Sequence, residues 1–571
     1  MGVGTLLLER GLISRAQLEI AIAEQRTTGE RLDRVLVRLG FVTRETVLSV
    51  IGEQFQMPVV DMATMVVEAK VLEALPARLV YKQNCVPISR DNGALTVATS
   101  DPFELSVLDE LRLLTGCNIE LVLADEDDLH KFIRANYGVG GDTLGEMAQA
   151  DGEKPANLEG ADPGEIEQAQ EASVIKLVND LLIEAIKERA TDVHIEPYER
   201  ELVVRYRIDG ILQRANVPSS IHRFGAAIIS RLKIMSNLNI AEKRKPQDGR
   251  ITFRQRLDQN SPVGEYDLRV SVIPMLYGEG VVLRILSKTA VLLTLNDLGM
   301  PTEILRAWDR LISKPHGILL VTGPTGSGKS TTLYASLQRI ISDEIKAITV
   351  EDPVEYHVTG VNQIQVNHKV GLDFSTGLRS ILRHDPDVIM IGEIRDKETA
   401  ETAIQASLTG HLVFSTLHTN DAAGAPTRLL DMGVEPFLVS SSLEGVLAQR
   451  LVRRLCEQCT EEYTPEAGEL PQMAALPALA RGATFRRPTP RAAGAACRHC
   501  RGTGFRGRIG VYELFELSDP TRELIMRRAS SNELAAAATA DGSLRPLRED
   551  GLTKAAAGIT SLDEMLAALS G

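Results

Sequence analysis

The sequence predicts a multidomain α/β protein whose C-terminal half is a mostly parallel, doubly wound sheet. Three observations predict it. From Pro301 onward, short apolar runs at 317–322, 347–350, 388–391 and 412–416 alternate with helical patterns, the rhythm of strand–helix–strand units. The first run leads into Gly323-Pro-Thr-Gly-Ser-Gly-Lys-Ser330, a glycine-rich loop that opens a helix over 331–340. And 571 residues, at roughly 100–200 per domain, leave room for about three to five domains.

Composition narrows the function. Forty-four per cent hydrophobic and 25% charged residues exclude global disorder. Sixty-three basic against 77 acidic side chains give a net charge of −14, the wrong sign for a protein that coats nucleic acid, so no nucleic-acid partner is expected. No apolar run approaches the roughly 18–20 residues needed to span a bilayer. The opening Met-Gly-Val-Gly-Thr-Leu-Leu-Leu-Glu-Arg lacks the basic and apolar regions of a secretory signal. The expectation is a cytosolic protein whose membrane association is indirect. Of six cysteines, Cys85 and Cys117 stand alone, while Cys456/Cys459 and Cys497/Cys500 form two C-x-x-C pairs, a pattern that favours metal in a reducing compartment.

The N-terminus carries a repeat at an offset of 29 residues: Leu7 matches Leu36, Gly11 matches Gly40, Ser14 matches Thr43 and Ile22 matches Ile51. Each copy reads as a short helix, a glycine stop, a Ser/Thr N-cap and an amphipathic helix, so two copies give a four-helix unit. Strands at 85–89 and 94–99 around an Asp91-Asn92-Gly93 turn, a helix at 103–114, a strand at 119–123 and a helix at 126–137 make a small α/β domain. Residues 138–170 are rich in Gly, Ala, Asp and Glu and read as a linker. A helix at 174–188 and strands at 192–196, 202–208, 250–254, 266–273 and 280–285 form a second α/β domain. After Cys500 a basic glycine-rich turn at 501–508 and short helices are expected.

The loop at 323–330 fits a phosphate cradle. Gly323, Gly326 and Gly328 let backbone N–H groups wrap the phosphates, with Pro324, Thr325, Ser327 and Thr331 completing the loop. Lys329 can reach the β- and γ-phosphates, and Ser330 can give an oxygen to Mg²⁺. The apolar strand Ile389-Met-Ile-Gly-Glu-Ile-Arg395 ends in Glu393, which can hold the Mg²⁺ shell or a water; Asp387 at its start reads as structural. Glu351, in Val350-Glu-Asp-Pro353, closes a strand between these two and is a candidate general base; the alternative is a helix-capping acid pair before Pro353. His418 and His411 bracket the strand 412–416 as candidate γ-phosphate sensors.

These four boxes, in this order, resemble the secretion ATPase superfamily, and the wording of 377–395 and 405–421 is most similar to the type II secretion ATPase (GspE) family, with type IV pilus-assembly ATPases as relatives. The resemblance implies an α/β fold with a RecA-like P-loop NTPase core, a preceding α/β (PAS-like) domain, an N-terminal helical/α+β module, a Cys₄ zinc module and a C-terminal helical extension. The corresponding boundaries are 1–138 (helical repeat 1–58, small α/β 59–138), an acidic flexible linker 139–170, then 171–300, 301–455, 456–510 and 511–571. It implies ATP and Mg²⁺ as ligands and a homo-hexamer on the cytoplasmic face of an inner-membrane secretion platform, which docks the N-terminal module. Arginines of the second domain then complete the nucleotide site: Arg205, Arg207, Arg250 and Arg269, with Arg269 the expected contributor to turnover. Each is equally an ion-pair partner within its own domain.

Cys456, Cys459, Cys497 and Cys500 can present four thiolates tetrahedrally to Zn²⁺, and the family carries such a module here; His499 is expected to be exposed rather than ligating. The N-terminal repeat also resembles the helical motif of MshEN domains, which bind cyclic-di-GMP. Copy two keeps Arg31, Leu32, Leu36 and Gly40 but places Asp33 where the motif has glycine, and copy one lacks the arginine. An acid facing a phosphodiester opposes binding, so a docking module is the leading expectation and cyclic-di-GMP the lesser one. The leading function is the ATPase motor of type II secretion. The alternatives are a type IV pilus or surface-fibre motor and, in a different class, a non-catalytic module controlled by cyclic-di-GMP.

Overall fold

The computed structural model describes residues 3–570 apart from 30, 63–64, 92, 102–104, 142, 145–170, 257–262, 288–292, 465–483, 490–496 and 498. Most of the expected linker therefore lies outside the described residues, as does much of the insert between the cysteine pairs. The chain divides into two compact units, Met1–Ser287 and Lys288–Gly571.

The repeat opens the first unit as α1 (Val3–Glu9), α2 (Arg15–Thr28), α3 (Leu32–Arg38) and α4 (Arg44–Phe55). Ser14 Oγ accepts from the Gln17 N–H at 3.2 Å and Thr43 Oγ1 from the Thr46 N–H at 3.3 Å, so both copies start their longer helix with the same cap. Leu7 and Leu36, equivalent across the repeat, are both fully buried. The small domain follows as a sheet of β1 (Cys85–Asp91), β2 (Ala94–Thr99) and β3 (Asn118–Leu123) in that order, β2 and β3 parallel. Helices Leu105–Thr115 and Glu126–Tyr137 accompany it. The first linker residues are packed rather than free: Val139 and Leu144 are buried in the core of the next domain, and the Val139 N–H donates to the Asn216 carbonyl at 2.8 Å.

That domain pairs helix Ala172–Lys187 with a six-stranded sheet made of β4 (Asp192–Pro197), β5 (Leu202–Ile208), β6 (Ile211–Arg214), β7 (Gln247–Gln255), β8 (Gly264–Met275) and β9 (Gly278–Ser287). The order is β6-β5-β4-β9-β8-β7, all antiparallel, with the first strand beside the last, the PAS-like arrangement expected. Strand β6 and helix Gly225–Met235 are additions to the sequence reading. Five of the first seven residues of that helix are buried, so its pattern has no polar stripe to betray a helical period.

The second unit is built on β10 (Gly317–Thr322), β11 (Ala347–Glu351), β12 (Val361–Gln365), β13 (Val388–Ile391), β14 (Leu412–Leu417) and β15 (Leu443–Leu455). A hairpin of β16 (Thr460–Tyr463) and β17 (Phe485–Pro488) stands apart, and β18 (Phe505–Glu516) and β19 (Leu544–Arg545) complete the main sheet. Its order is β12-β11-β13-β14-β10-β15-β18-β19, parallel from β12 through β15 and antiparallel beyond, the RecA-like core expected. Each of β10, β13 and β14 is buried along its whole length because helices cover both faces. The expected turn at 501–508 is corrected here. Residues from Phe505 onward already pair with β15, and the strand runs for 12 residues before the short C-terminal helices begin. Among the described residues no helix is long and apolar enough to cross a membrane.

One buried pair holds the C-terminal helices on the sheet. Lys554 Nζ donates to Asp550 Oδ2 at 2.6 Å and to the Gly510 carbonyl at 2.7 Å, while Asp550 accepts from the Tyr512 N–H at 2.8 Å. Burial pushes the Asp550 carboxyl up and the Lys554 ammonium down, so each charge depends on the other. Asp550→Ala is therefore expected to cost about 3–5 kcal/mol. The unfolding transition reported by Trp308, the one tryptophan of the chain, reads this loss, and adding Lys554→Met restores part of it.

Candidate functional site

The site lies along the C-terminal ends of four neighbouring parallel strands. β11, β13, β14 and β10 stand side by side, and at or just beyond their ends come Glu351, Glu393, His418 and the loop from Gly323. Strands spaced about 4.8 Å apart put the His418 strand one step from the loop, the Glu393 strand about 10 Å away and the Glu351 strand about 14 Å away. Hydroxyls stitch this edge together. Thr322 Oγ1 donates to the Leu417 carbonyl at 3.1 Å and accepts from the Thr419 N–H at 3.0 Å. Thr416 Oγ1 donates to the Gly392 carbonyl at 2.7 Å.

The loop itself is tightly backed. Gly323 has φ +146°, and a Cβ there would lie 2.4 Å from the Gln449 carbonyl oxygen. Gln449 Nε2 donates to the Ser327 carbonyl at 2.6 Å, and Gln449 Oε1 accepts from Thr332 Oγ1 at 2.8 Å. Helix Lys329–Ile340 has Gly328 as its N-cap, which offers no side chain, so its first-turn N–H groups stay available to an anion. Lys329 Nζ folds back on the Gly323 and Pro324 carbonyls at 2.8 and 3.0 Å. Burial lowers its pKa, the Arg450 charge adds to this, and Glu393 opposes it. Buried Ser327 Oγ has no hydrogen-bond partner among the described residues, and Ser330 and Thr325 face solvent. The cradle fits phosphate: uncapped N–H groups, a folded-back lysine and an orphan hydroxyl meet at one loop.

The acids differ in freedom. Glu393 lies beside His418, with Oε2 3.4 Å from Nε2, and pairs with Arg395, whose pKa it raises. The His418 side chain is 54% exposed. Glu351 is only 4% exposed. Its Oε1 accepts from Thr349 Oγ1 at 2.6 Å and Gln363 Nε2 at 3.0 Å, and its Oε2 accepts from the Tyr334 hydroxyl. His411 sits elsewhere. It precedes β14 by one residue, at the opposite edge of the sheet about 20 Å from His418, and its Nδ1 is 2.8 Å from the Ala406 carbonyl at the end of helix Lys397–Leu408. Asp387 accepts from the Lys346 N–H at 2.7 Å, a structural role.

The four cysteine sulfurs lie within 4.8 Å of one another and all four residues are buried. Sulfurs bound tetrahedrally at a Zn–S distance of about 2.3 Å are about 3.8 Å apart, and here Cys456–Cys497 is 3.9 Å and Cys459–Cys500 is 3.4 Å. The donor set fits Zn²⁺. His499 is half-buried, with Nδ1 3.2 Å from Cys456 Sγ, so the expectation that it is exposed is corrected.

In the first unit the expected arginines share one face of the PAS-like sheet. Cross-strand register aligns Arg250, Arg269, Arg284, Asp192 and Arg207 in a row over β7, β8, β9, β4 and β5. Asp192 pairs with Arg284 at 3.0 Å and Arg207 at 3.7 Å, Asp267 with Arg250 at 2.9 Å, and Glu196 with Arg205 at 2.7 Å. Like charges directly across a sheet repel, and the interspersed acids counter this repulsion.

A family model described as "Type II/IV secretion system protein" matches residues 167–567, well over half of the chain. The chain belongs to this family. Its secretion ATPases are what the four boxes resemble, and a second family model, the MshEN domain, matches residues 55–143. The type IV pilus assembly ATPase PilB of Myxococcus xanthus is 41% identical over 99% of this chain and 98% of its own length. The type II secretion system protein E of Xanthomonas campestris pv. campestris is 41% identical over 98% of this chain and 97% of its own. Among solved structures, the Yersinia pseudotuberculosis ATPase DotB is 19% identical, covers 73% of this chain and all of its own, and has a TM-score of 0.51, which shows likeness of fold.

Sequence reasoning missed Gln449, Arg450, Tyr334 and Arg284. Arg450 is 8% exposed, donates to the Asn420 carbonyl at 2.9 Å, and has a buried Nη1 with no hydrogen-bond partner among the described residues. None of the four stands in a spacing motif; for Gln449, Arg450 and Arg284 a basic or amide residue within an apolar strand is the signal, and Tyr334 carries none. Gln449→Ala is expected to strip two buried hydrogen bonds from the loop and its helix and to lower stability by about 1–3 kcal/mol. Thermal unfolding without nucleotide measures this directly.

Proposed function

We propose that this secretion-family chain is the ATPase motor of a type II secretion system. It works as a homo-hexamer at the cytoplasmic face of the inner membrane and drives pseudopilus assembly and export of folded proteins. The observation that carries the ATPase reading is the single edge that gathers the phosphate loop, His418, Glu393 and Glu351. In this reading Lys329 neutralises the β- and γ-phosphates, and Ser330 and Glu393 provide oxygens for Mg²⁺ and its waters. Glu351 takes the proton from the water that attacks the γ-phosphorus as the bond to the β-phosphate oxygen breaks. His418 contacts the γ-phosphate, and loop residues Gly323 to Thr331 hold the nucleotide.

Arg205, Arg207 and Arg269 are proposed to meet phosphate charge. A row of arginines on one sheet face is tolerable when an anion joins it. Cys456, Cys459, Cys497 and Cys500 would hold Zn²⁺, which when bound cross-links the two loops that carry them. The N-terminal module is proposed to dock on a platform protein. Cyclic-di-GMP is the lesser reading there, because Arg31 already donates to Asp33 at 3.0 Å and pairs with Asp101, so a phosphodiester would have an acid to displace.

The type IV pilus motor remains a second reading, favoured by the 41% identity to the Myxococcus PilB over nearly the whole chain. A chromosomal Lys329→Ala strain separates the two by quantitative mass spectrometry of the culture medium. The secretion reading expects a set of folded, signal-peptide-bearing proteins to leave the medium and accumulate in the periplasm. An unchanged medium with lost surface fibres would favour the pilus.

A further inference from the structure

The base proposed above is buried and already engaged by three donors. A carboxylate that takes a proton from water must offer a lone pair to that water. Glu351 is 4% exposed, and its two oxygens accept three donors. Thr349 and Gln363 both serve Oε1, and both lie on the sheet, paired across β11 and β12. Oε2 is served by the Tyr334 hydroxyl. Tyr334 belongs to another element: it lies on helix Lys329–Ile340, five residues after the lysine of the phosphate loop. The sheet donors share the sheet with Glu351, whereas the Tyr334 donor sits on the helix that follows the phosphate loop.

We propose that Tyr334 is a positioning residue for Glu351, holding Oε2 through the phosphate-loop helix and so tying the strength and freedom of the base to that helix. The proposal rests on Glu351 being the base. Its surroundings support a dedicated arrangement. The Tyr334 ring is fully buried and its hydroxyl oxygen also accepts from the Glu355 N–H at 3.2 Å, which fixes the direction of its one proton toward Glu351. The Tyr356 ring packs edge-on at 6.1 Å. Gln363 is itself fixed, donating to the Tyr356 carbonyl at 2.9 Å and accepting from the Val358 N–H at 2.9 Å. Burial, and then the charge of Glu351, push the Tyr334 hydroxyl well above its ordinary pKa, so it remains a donor at every working pH. Among the described residues, the other charged and titratable groups at this corner include Glu355 and Tyr356 on the loop after β11, Arg508 of β18, which acts on Tyr356, and Asp352, which faces His368 at 3.5 Å and acts on Arg395.

The test uses the full-length chain and steady-state phosphate release between pH 5.5 and 9 for wild type, Tyr334→Phe, Thr349→Val and Glu351→Gln. A carboxylate that loses an O–H donor holds its proton more tightly. The acidic limb of the kcat profile is therefore expected to move up by about 0.5–1 pH unit in Tyr334→Phe, with KM for ATP within twofold of wild type. Thr349→Val removes a donor from the other oxygen and should move the limb in the same direction, so it carries the test if the tyrosine variant does not fold. A Tyr334→Phe profile that superimposes on wild type after scaling overturns the proposal while leaving the base assignment intact. If Glu351→Gln keeps turnover within about tenfold of wild type, the base assignment falls, and the proposal with it.

Discussion

Register in the parallel sheet is the constraint on which the site depends. Residues 347–350 of β11 pair in step with 388–391 of β13, which pair in step with Leu412–Ser415 of β14, which in turn pairs residue for residue with β10. Because side chains alternate between faces, a slip of one residue in any pair would turn an acid or histidine from one face to the other. Full burial of β10, β13 and β14 enforces the register, since a slip would exchange two sets of packed side chains at once. The chemistry of the edge is thus positioned by apolar packing in the middle of the sheet.

Polar groups then fix the last few residues, where strand pairing runs out. The hydroxyls of Thr322 and Thr416 bond the chain just past the ends of neighbouring strands, at Thr419 and Gly392. Gln449 does the same for the phosphate loop. These groups are buried, so each bond is expensive to leave unmade, and together they restrict the loop to one conformation. Charge is handled differently in the two units. At the edge of the P-loop unit Lys329 and Arg450 are both held below their ordinary pKa by burial, while Arg395 pairs with Glu393. The PAS-like sheet instead lines up arginines with only Asp192 in their row.

How much of this was legible follows from the kind of signal each part carries. The phosphate loop, Glu351, Glu393 and His418 announce themselves because each follows an apolar strand, and the strands cannot be moved without exposing them. The cysteine pairs are legible from spacing, and the sulfurs meet at tetrahedral distances. His411 misled because a histidine flanks the strand at each end, and only the parallel direction of β14 says which end faces the ligand edge. The start of β18 reads as a turn because Gly502, Gly504 and Gly507 crowd residues 501–508, yet Phe505 and Arg508 pair with β15 and Gly507 falls at the register shift between them. The hydrogen bond from Tyr334 to Glu351 joins residues 17 apart on different elements and leaves no pattern in the chain.

Steady-state phosphate release from Mg²⁺-ATP by the full-length chain tests the central claim most directly when wild type is compared with Lys329→Ala. The account predicts turnover by the wild type and a loss of about a hundredfold or more in the variant, since the lysine is the one cation on the loop itself. Equal rates in the two proteins, or no turnover by a wild-type protein that binds ATP, would contradict it.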